Sequence, residues 1–419
     1  MLVAHQHIYA FKNKRALSSH PKQAHLEPKH QPRKTRRNLN NFNLPTSPHY
    51  VDALYKGAID KHEHNSKATP LGNTKAHKSA HGNTQHSAAT VKTQFTKVTV
   101  HATFISNHNH TCIMIFMITI IGAGKVGSAA AFDILKDHID DVTLIDLYEN
   151  LAKGEALDMM QSAPAIEFDG KISGTGDFKE MEGSELVIVI AGQGRKPDMT
   201  RIDLMNNNAK VIRSVVKEVA KYAPNCKLMI VTNPVDIMTF IARKESGLPP
   251  NHVFGMGNIL DTLRFRTYIA QELNVSRQDV NAMVIGEHGD TMVPLIEYAS
   301  VSGIPITTLL TKEQIDKITQ QTINSGADVI KLKGATTYAP AAVIAMMADA
   351  VIHGRNRVMS VSTCPQGEYS CSAVSIGVPV VLGKNGVERI IELKLSQESQ
   401  QRFEKSVETI KQAITALKE

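Results

Sequence analysis

Residues 118–146 read ITIIGAGKVGSAAAFDILKDHIDDVTLID, and this stretch decides the fold. An apolar run, ITII, passes into the turn Gly122-Ala123-Gly124-Lys125-Val126-Gly127. A segment of helical composition follows, and then a second apolar run that ends on Asp146. The glycines have the spacing G-x-G-x-x-G, and each has a physical reason. Gly122 permits a tight turn, Gly124 lets a pyrophosphate approach the backbone, and Gly127 lets the helix lie close on the sheet. The helix N-terminus behind them offers free N–H groups and about half a positive charge to phosphates. Asp146 follows Gly127 by 19 residues. A carboxylate there can accept hydrogen bonds from a ribose diol and repel a 2′-phosphate, which points to NAD rather than NADP. Glycine-rich turns without a ligand are common in α/β proteins. The strand before this one, the helix after it and the acid beyond it together make it a dinucleotide signature.

The chain continues in the same style. Residues 150–162 carry helical spacing at Leu151, Ala156, Leu157 and Met160, and residues 186–191, LVIVIA, form an apolar run expected of a strand covered on both faces. That run leads into AGQGRKPDMTR, residues 191–201, at the carboxyl end of a strand, where open α/β sheets bind ligands. Arg195 and Arg201 are suited to clamping an anionic substrate, although a solvated basic loop would look the same. A long helix is predicted over 202–222 and another buried strand over 227–232, KLMIVT. The strand runs into Asn233-Pro234, where the amide could face a cofactor crevice or simply make a turn. Alternating strands and helices of this kind predict a Rossmann-type doubly wound parallel sheet over 117–256.

From about 257 the character changes, and an α+β substrate or catalytic domain is expected over 257–419. Asp261 and Arg264 stand at i and i+3 in GNILDTLRFR, on one face of a predicted helix, as an ion pair or as site residues. His288 sits in VIGEHGD at the end of an apolar run. A lone histidine is usually structural. One flanked by Glu and Gly-Asp, in a chain already carrying NAD signals and an arginine cluster, is a candidate proton carrier. Gly334 to Tyr338 open an Ala/Met-rich helix to about 352. A strand over 375–382 and an amphipathic helix over 400–417 close the chain.

Composition sets the bounds. At 419 residues with 42% hydrophobic content and no Trp, the chain has room for two or three ordinary α/β domains. Its net charge of +7 is unevenly spread. Residues 1–116 hold 16 Lys and Arg against 4 Asp and Glu, and the remainder holds 31 against 36. The mildly negative body gives no reason to expect nucleic-acid binding. None of the four cysteines forms C-x-x-C, so neither a zinc knuckle nor a redox pair is indicated, and a reducing, cytoplasmic setting fits. The apolar run 112–121 has ten residues, about half of what a membrane helix needs, so no membrane span is expected.

Residues 1–116 carry 14 of the 18 histidines and no sustained apolar period. Three readings compete: a targeting segment around Arg33, Lys34, Arg36 and Arg37, a metal site at pairs such as His5/His7, His62/His64 and His108/His110, and a disordered tail. The last is preferred, with Met114 or Met117 as a natural start, and no metal site is expected.

GAGKVG, TNPVD, LDTLRFR and GEHGD, in this order, resemble the lactate/malate dehydrogenase family over essentially all of residues 117–419. RKPDMTR is most similar to its lactate-dehydrogenase-like malate branch. The resemblance implies NAD as cofactor and reversible oxidation of (S)-malate to oxaloacetate. His288 would be the proton carrier, Asp261 would orient its imidazole, Arg264 would grip the substrate C1 carboxylate, and Arg201 would polarise the reacting carbonyl. Arg195 would pair with the distal carboxylate, and a neutral residue there would suit pyruvate. Asn233 would orient the substrate and touch the nicotinamide side of the cofactor. Val231, Thr232 and Asn208 would contact the cofactor, and Val126 with the three glycines would complete the phosphate and adenosine grip. A homodimer or homotetramer is implied. The alternatives are a lactate or other 2-hydroxyacid dehydrogenase, distinguished by Arg195, and a non-catalytic NAD-binding protein, which should have lost His288 or a clamp arginine. The chain departs from the family pattern at Asp198, where glycine is usual, at Ile202, often Asp, and at Leu263, usually a small residue.

Overall fold

Short runs of β-branched and aliphatic residues, buried on both faces, build the sheet on which everything else is placed. The computed structural model describes residues 118–194 and 199–418. The extension, Arg195 and Asp198 therefore lie outside the described residues. The first half contains β1 (Ile118–Ile121), α1 (Lys125–Lys136), β2 (Val142–Ile145), α2 (Glu149–Ser162), β3 (Ile172–Thr175) and β4 (Leu186–Val189). It continues with α3 (Arg201–Tyr222), β5 (Lys227–Ile230), α4 (Val235–Glu245) and β6 (Val253–Gly255). The strands pair in parallel in the order β3-β2-β1-β4-β5-β6. All positions of β1, β2 and β4 are buried, as both-face coverage by helices requires. The order reverses between β1 and β4. In register, Ile121 lies beside both Ile145 and Val189, so three strand ends share one edge. The glycine turn, Asp146 and the loop after β4 all leave from that edge, which is the switch point where such sheets take ligands.

The second half contains α5 (Ile259–Leu273), β7 (Val280–Asn281), β8 (Val284–Ile285), β9 (Val293–Pro294), β10 (Ser300–Val301) and β11 (Ile304–Pro305). After these come α6 (Lys312–Lys333), α7 (Tyr338–Ile352), β12 (Arg357–Thr363), β13 (Ile376–Gly383), β14 (Gly386–Ile390) and α8 (Gln397–Thr415). The sheet does not stop at the expected boundary. β12, β13 and β14 form an antiparallel meander that joins β6 through Ser362 opposite Gly255, which makes one nine-stranded mixed sheet. Glycine is needed at the junction, because a Cβ on Gly255 would stand 2.3 Å from Thr239 Oγ1. A smaller apolar core under α5 and α6 gathers Phe265, Ile269, Val284 and Ile318. Each such buried side chain contributes about 1.5–3 kcal/mol relative to exposure.

Several element ends moved, each for a local reason. α3 begins at Arg201 because Thr200 and Asp203 form a reciprocal capping box. α8 begins at Gln397, where Ser396 caps the helix by accepting from Ser399 N–H. Neither α6 nor β12 was anticipated, although Thr311 and Gln314 make another capping box at the start of α6. Among the described residues no helix is long and apolar enough to cross a membrane.

Candidate active site

The glycine turn follows β1 directly, and its three glycines answer to different demands. Gly122 takes φ +112°, and a Cβ there would meet Ala191 N at 2.8 Å. A Cβ on Gly127 would fall 1.8 Å from the Gly122 carbonyl oxygen, so helix and turn touch at that point. Nothing lies within 4 Å of a Cβ built on Gly124. The fold itself demands the first and third glycines, while the second opens onto space. Gly124 is also the N-cap of α1, with no side-chain hydrogen bond to the first turn. A helix start of this kind, with open space in front of it, fits a pyrophosphate.

Asp146 braces this turn. Its carboxylate accepts from Ala123 N–H at 2.8 Å and from Tyr148 N–H at 2.9 Å, and it lines a cleft of about 730 Å³ with the glycines. Lys125 and Val126 line the same cleft, as do Leu147, Phe178, Gln193 and Lys210. The last four were not singled out from the sequence. Leu147 directly follows the acid, a cue that could have been used, but the others come from separate elements and meet only in space.

Val231 and Thr232 are buried at the end of β5, and the Thr232 hydroxyl donates to Ala191 O at 2.7 Å. They tie β5 to the loop after β4. Asn208 is 1% exposed and its amide is fully engaged. Its oxygen accepts from Gln193 N–H at 2.8 Å, and its nitrogen donates to Gln193 O at 3.2 Å and to Asn233 O at 2.7 Å. The structure thus gives Asn208 a bracing role beside the cofactor contact expected of it. The Asn233 residue it holds is exposed.

The second cluster forms where α5 faces the loop after β8. His288 Nδ1 lies 2.6 Å from Asp261 Oδ2, and Arg264 Nη1 donates to Asp261 Oδ1 at 3.0 Å. Asn258 Nδ2 adds a third donor, 3.2 Å from Oδ2. The Asp261 side chain is fully buried, those of His288 and Arg264 only 12% and 14% exposed. Burial alone would push the Asp261 carboxyl up, but the charge and hydrogen bond of His288, followed by those of Arg264, hold it below the usual carboxylate range. For His288, burial pulls the imidazole down, and the charge and hydrogen bond of Asp261 outweigh this and raise it. With Nδ1–H donating to a carboxylate, Nε2 is the ring atom that exchanges a proton.

Arg201, held at the first position of α3 by the capping box, donates from Nη2 to Asp290 Oδ2 at 2.8 Å. It therefore reaches the same short loop that carries His288. Leu263 is half-buried against the main core, and Ile202 is 53% exposed. Four of the predicted site residues, His288, Asp261, Arg264 and Arg201, are thus gathered around one loop.

A cleft lined by a dinucleotide turn, together with a buried carboxylate–imidazole pair and arginines, suits an oxidoreductase that moves a hydride and a proton. Comparison with known proteins places it further. Residues 116–255 match the lactate/malate dehydrogenase NAD binding domain, and residues 259–419 match the lactate/malate dehydrogenase alpha/beta C-terminal domain. A malate dehydrogenase of Geobacillus sp. (strain WCH70) is 44% identical over 304 residues, covering 72% of this chain and 97% of the relative. The apo malate dehydrogenase of Picrophilus torridus superposes with a TM-score of 0.69 at 41% identity, covering 72% of this chain and 96% of that one. The lactate dehydrogenase of Cryptosporidium parvum, solved with lactic acid and nicotinamide adenine dinucleotide, superposes with a TM-score of 0.70 at 37% identity, covering 72% and 98%. The chain belongs to the lactate/malate dehydrogenase family, and its cofactor is NAD.

Proposed function

We propose that the chain interconverts (S)-malate and oxaloacetate with NAD. The observation that carries this reading is the His288–Asp261 pair at 2.6 Å with Arg264 on the other carboxylate oxygen, in a chain 44% identical to a malate dehydrogenase. NAD, when bound, supplies the hydride acceptor and NADH the donor. Its holding residues would be Gly122, Ala123, Gly124, Lys125, Val126, Gly127 and Asp146, with Asn208, Val231 and Thr232 shaping the nicotinamide end. His288 gives its Nε2 proton to the carbonyl oxygen in reduction and takes the hydroxyl proton in oxidation. Asp261 keeps the ring in one tautomer and stabilises the imidazolium, as buried carboxylates do for other catalytic histidines. Arg264 binds the C1 carboxylate, Arg201 meets the charge that grows on the carbonyl oxygen, and Asn233 orients the substrate.

Arg195 reads the distal carboxylate and excludes pyruvate, because an unmatched guanidinium would be left against a methyl group. In this reading residues 117–256 form the cofactor domain, which lends Arg195, Arg201 and Asn233 to the substrate, residues 257–419 form the substrate and catalytic domain, and the enzyme works as a cytoplasmic homo-oligomer. The test is NADH oxidation by the full chain with oxaloacetate and pyruvate offered separately, before and after Arg195→Gln. The parent should prefer oxaloacetate, and the substitution should reduce that preference by about 10²-fold or more. Pyruvate preference in the parent would move the assignment to a lactate dehydrogenase.

A further inference from the structure

His288 is gripped by a second buried carboxylate, from a different element. Asp236 lies in the first turn of α4 and is 3% exposed. Its Oδ2 accepts from the His288 main-chain N–H at 2.8 Å, and its Oδ1 accepts from Ser362 Oγ at 2.6 Å. Ser362 Oγ is in turn 2.9 Å from Ser375 Oγ, and both serines are fully buried. The histidine is thus held by its ring from α5 and by its backbone from α4, while Ser362 of β12 and Ser375, just before β13, steady the second grip.

These hydrogen bonds do not need a charge. An asparagine at 236 would accept from the His288 N–H through its oxygen and donate to Ser362 through its nitrogen, leaving Ser362 free to donate to Ser375. A buried carboxylate where an amide would satisfy the same partners is costly. Burial pushes Asp236 up to about 6, against the hydrogen bonds from Ser362 and His288 and the charge of His288, all of which favour its ionised form. Among the described residues, the other groups facing this pair do not supply a dedicated cation. Arg264 is engaged with Asp261, Arg201 is paired with exposed Asp290, Glu287 adds negative charge, and the Cys364 thiol, near Asp236 and Arg243, is pushed up to about 11 by burial. The positive charge that benefits most directly from Asp236 is the imidazolium.

We propose that Asp236 is a positioning residue for His288, fixing its main chain and stabilising the imidazolium through the buried negative charge. The inference rests on the reading of His288 as the proton carrier. Reduction consumes the imidazolium, so its rate falls as pH rises through the point where His288 loses its proton. Asp236 keeps that point high.

The experiment is Asp236→Asn in the full chain, with two readouts. NMR of the imidazole nitrogens should show the His288 titration midpoint falling by on the order of one pH unit. The pH at which oxaloacetate reduction falls off should move down with it, so that loss of rate is concentrated at neutral and alkaline pH. A rate lowered equally at every pH, with the midpoint unmoved, would mean a structural role only and would overturn the proposal. Ser362→Ala, which keeps the charge but removes a donor that favours it, should move the midpoint the same way by less. If the asparagine variant does not fold, an unmoved midpoint in the serine variant overturns the proposal instead. A midpoint that moves in a chain reducing neither oxaloacetate nor pyruvate would support the electrostatic coupling and sink the functional reading.

Discussion

Two ion pairs meet on the loop 286–291, and they are built from opposite materials. Asp261 and His288 pair where the carboxylate has no exposure at all, whereas Arg201 and Asp290 pair with both side chains 70% exposed. The separations are nearly the same, 2.6 and 2.8 Å. What differs is the surroundings. In the dry cluster each charge is expensive unless matched, so every partner is fixed: Asn258, Arg264 and His288 on Asp261, Ser362 and the His288 backbone on Asp236. At the surface, water and salt substitute for either partner, so the arginine can leave Asp290 for a substrate at little cost. Under the proposed function, the residue that would carry the proton is built rigid, and the residue that would meet the substrate's growing charge is built exchangeable.

Removing the buried partner is the largest way to break the contrast. Asp261→Asn should lower the rate of oxaloacetate reduction by about 10³–10⁴-fold, because the imidazole loses its tautomer and the support of its charged form. Steady-state kinetics at low and high salt should show the same loss, since a buried pair is poorly screened. A strong salt dependence would mean that water reaches the pair.

The same opposition of filled and open space recurs in the glycine turn. Gly127→Ala should lower the melting temperature sharply, because its Cβ would stand 1.8 Å from the Gly122 oxygen, whereas Gly124→Ala has nothing within 4 Å and should leave it unchanged. Gly124→Ala should still weaken NAD, by about tenfold on the scale of one crowded contact, as read by calorimetry. If NAD bound the Gly124 variant as tightly as the parent, the pyrophosphate would not sit against that glycine.

The smallest effect is expected at the exposed pair. Asp290→Asn should change the KM for oxaloacetate by only about two- to threefold, and the change should vanish at high salt. A larger, salt-insensitive change would show that Arg201 depends on Asp290 in the working enzyme and would erase the distinction between the two regions.

Most of the parallel sheet was legible, because β1, β2, β4 and β5 are short, largely apolar runs and the glycine turn carries a fixed spacing, whereas β3, ISGT, offers no such run. The antiparallel half was less so. β12, RVMSVST, mixes serine and arginine into its strand and has no period to detect. The continuity of the sheet through Ser362 and Gly255 depends on a glycine that looks ordinary in the sequence. Among the site residues, Asp261 and Arg264 were readable as a pair because three residues of helix put them on one face. Asp236 closes the TNPVD motif without standing out, since nothing nearby in the chain tells a buried carboxylate from a helix-start acid.

Sequence alone determined what depends on near neighbours: the dinucleotide turn, the acid 19 residues beyond it, the helix face shared by Asp261 and Arg264, and the loop histidine. Tertiary structure decided which of these groups meet. His288 finds Asp261 across 27 residues and Asp236 across 52, and Asp236 finds Ser362 across 126. Those distances in the chain are closed by strand order and by an antiparallel meander laid against β6, and the charge state of the histidine follows from who arrives beside it. Local spacing can encode the kind of chemistry, but burial and charge pairing are properties of the packed sheet.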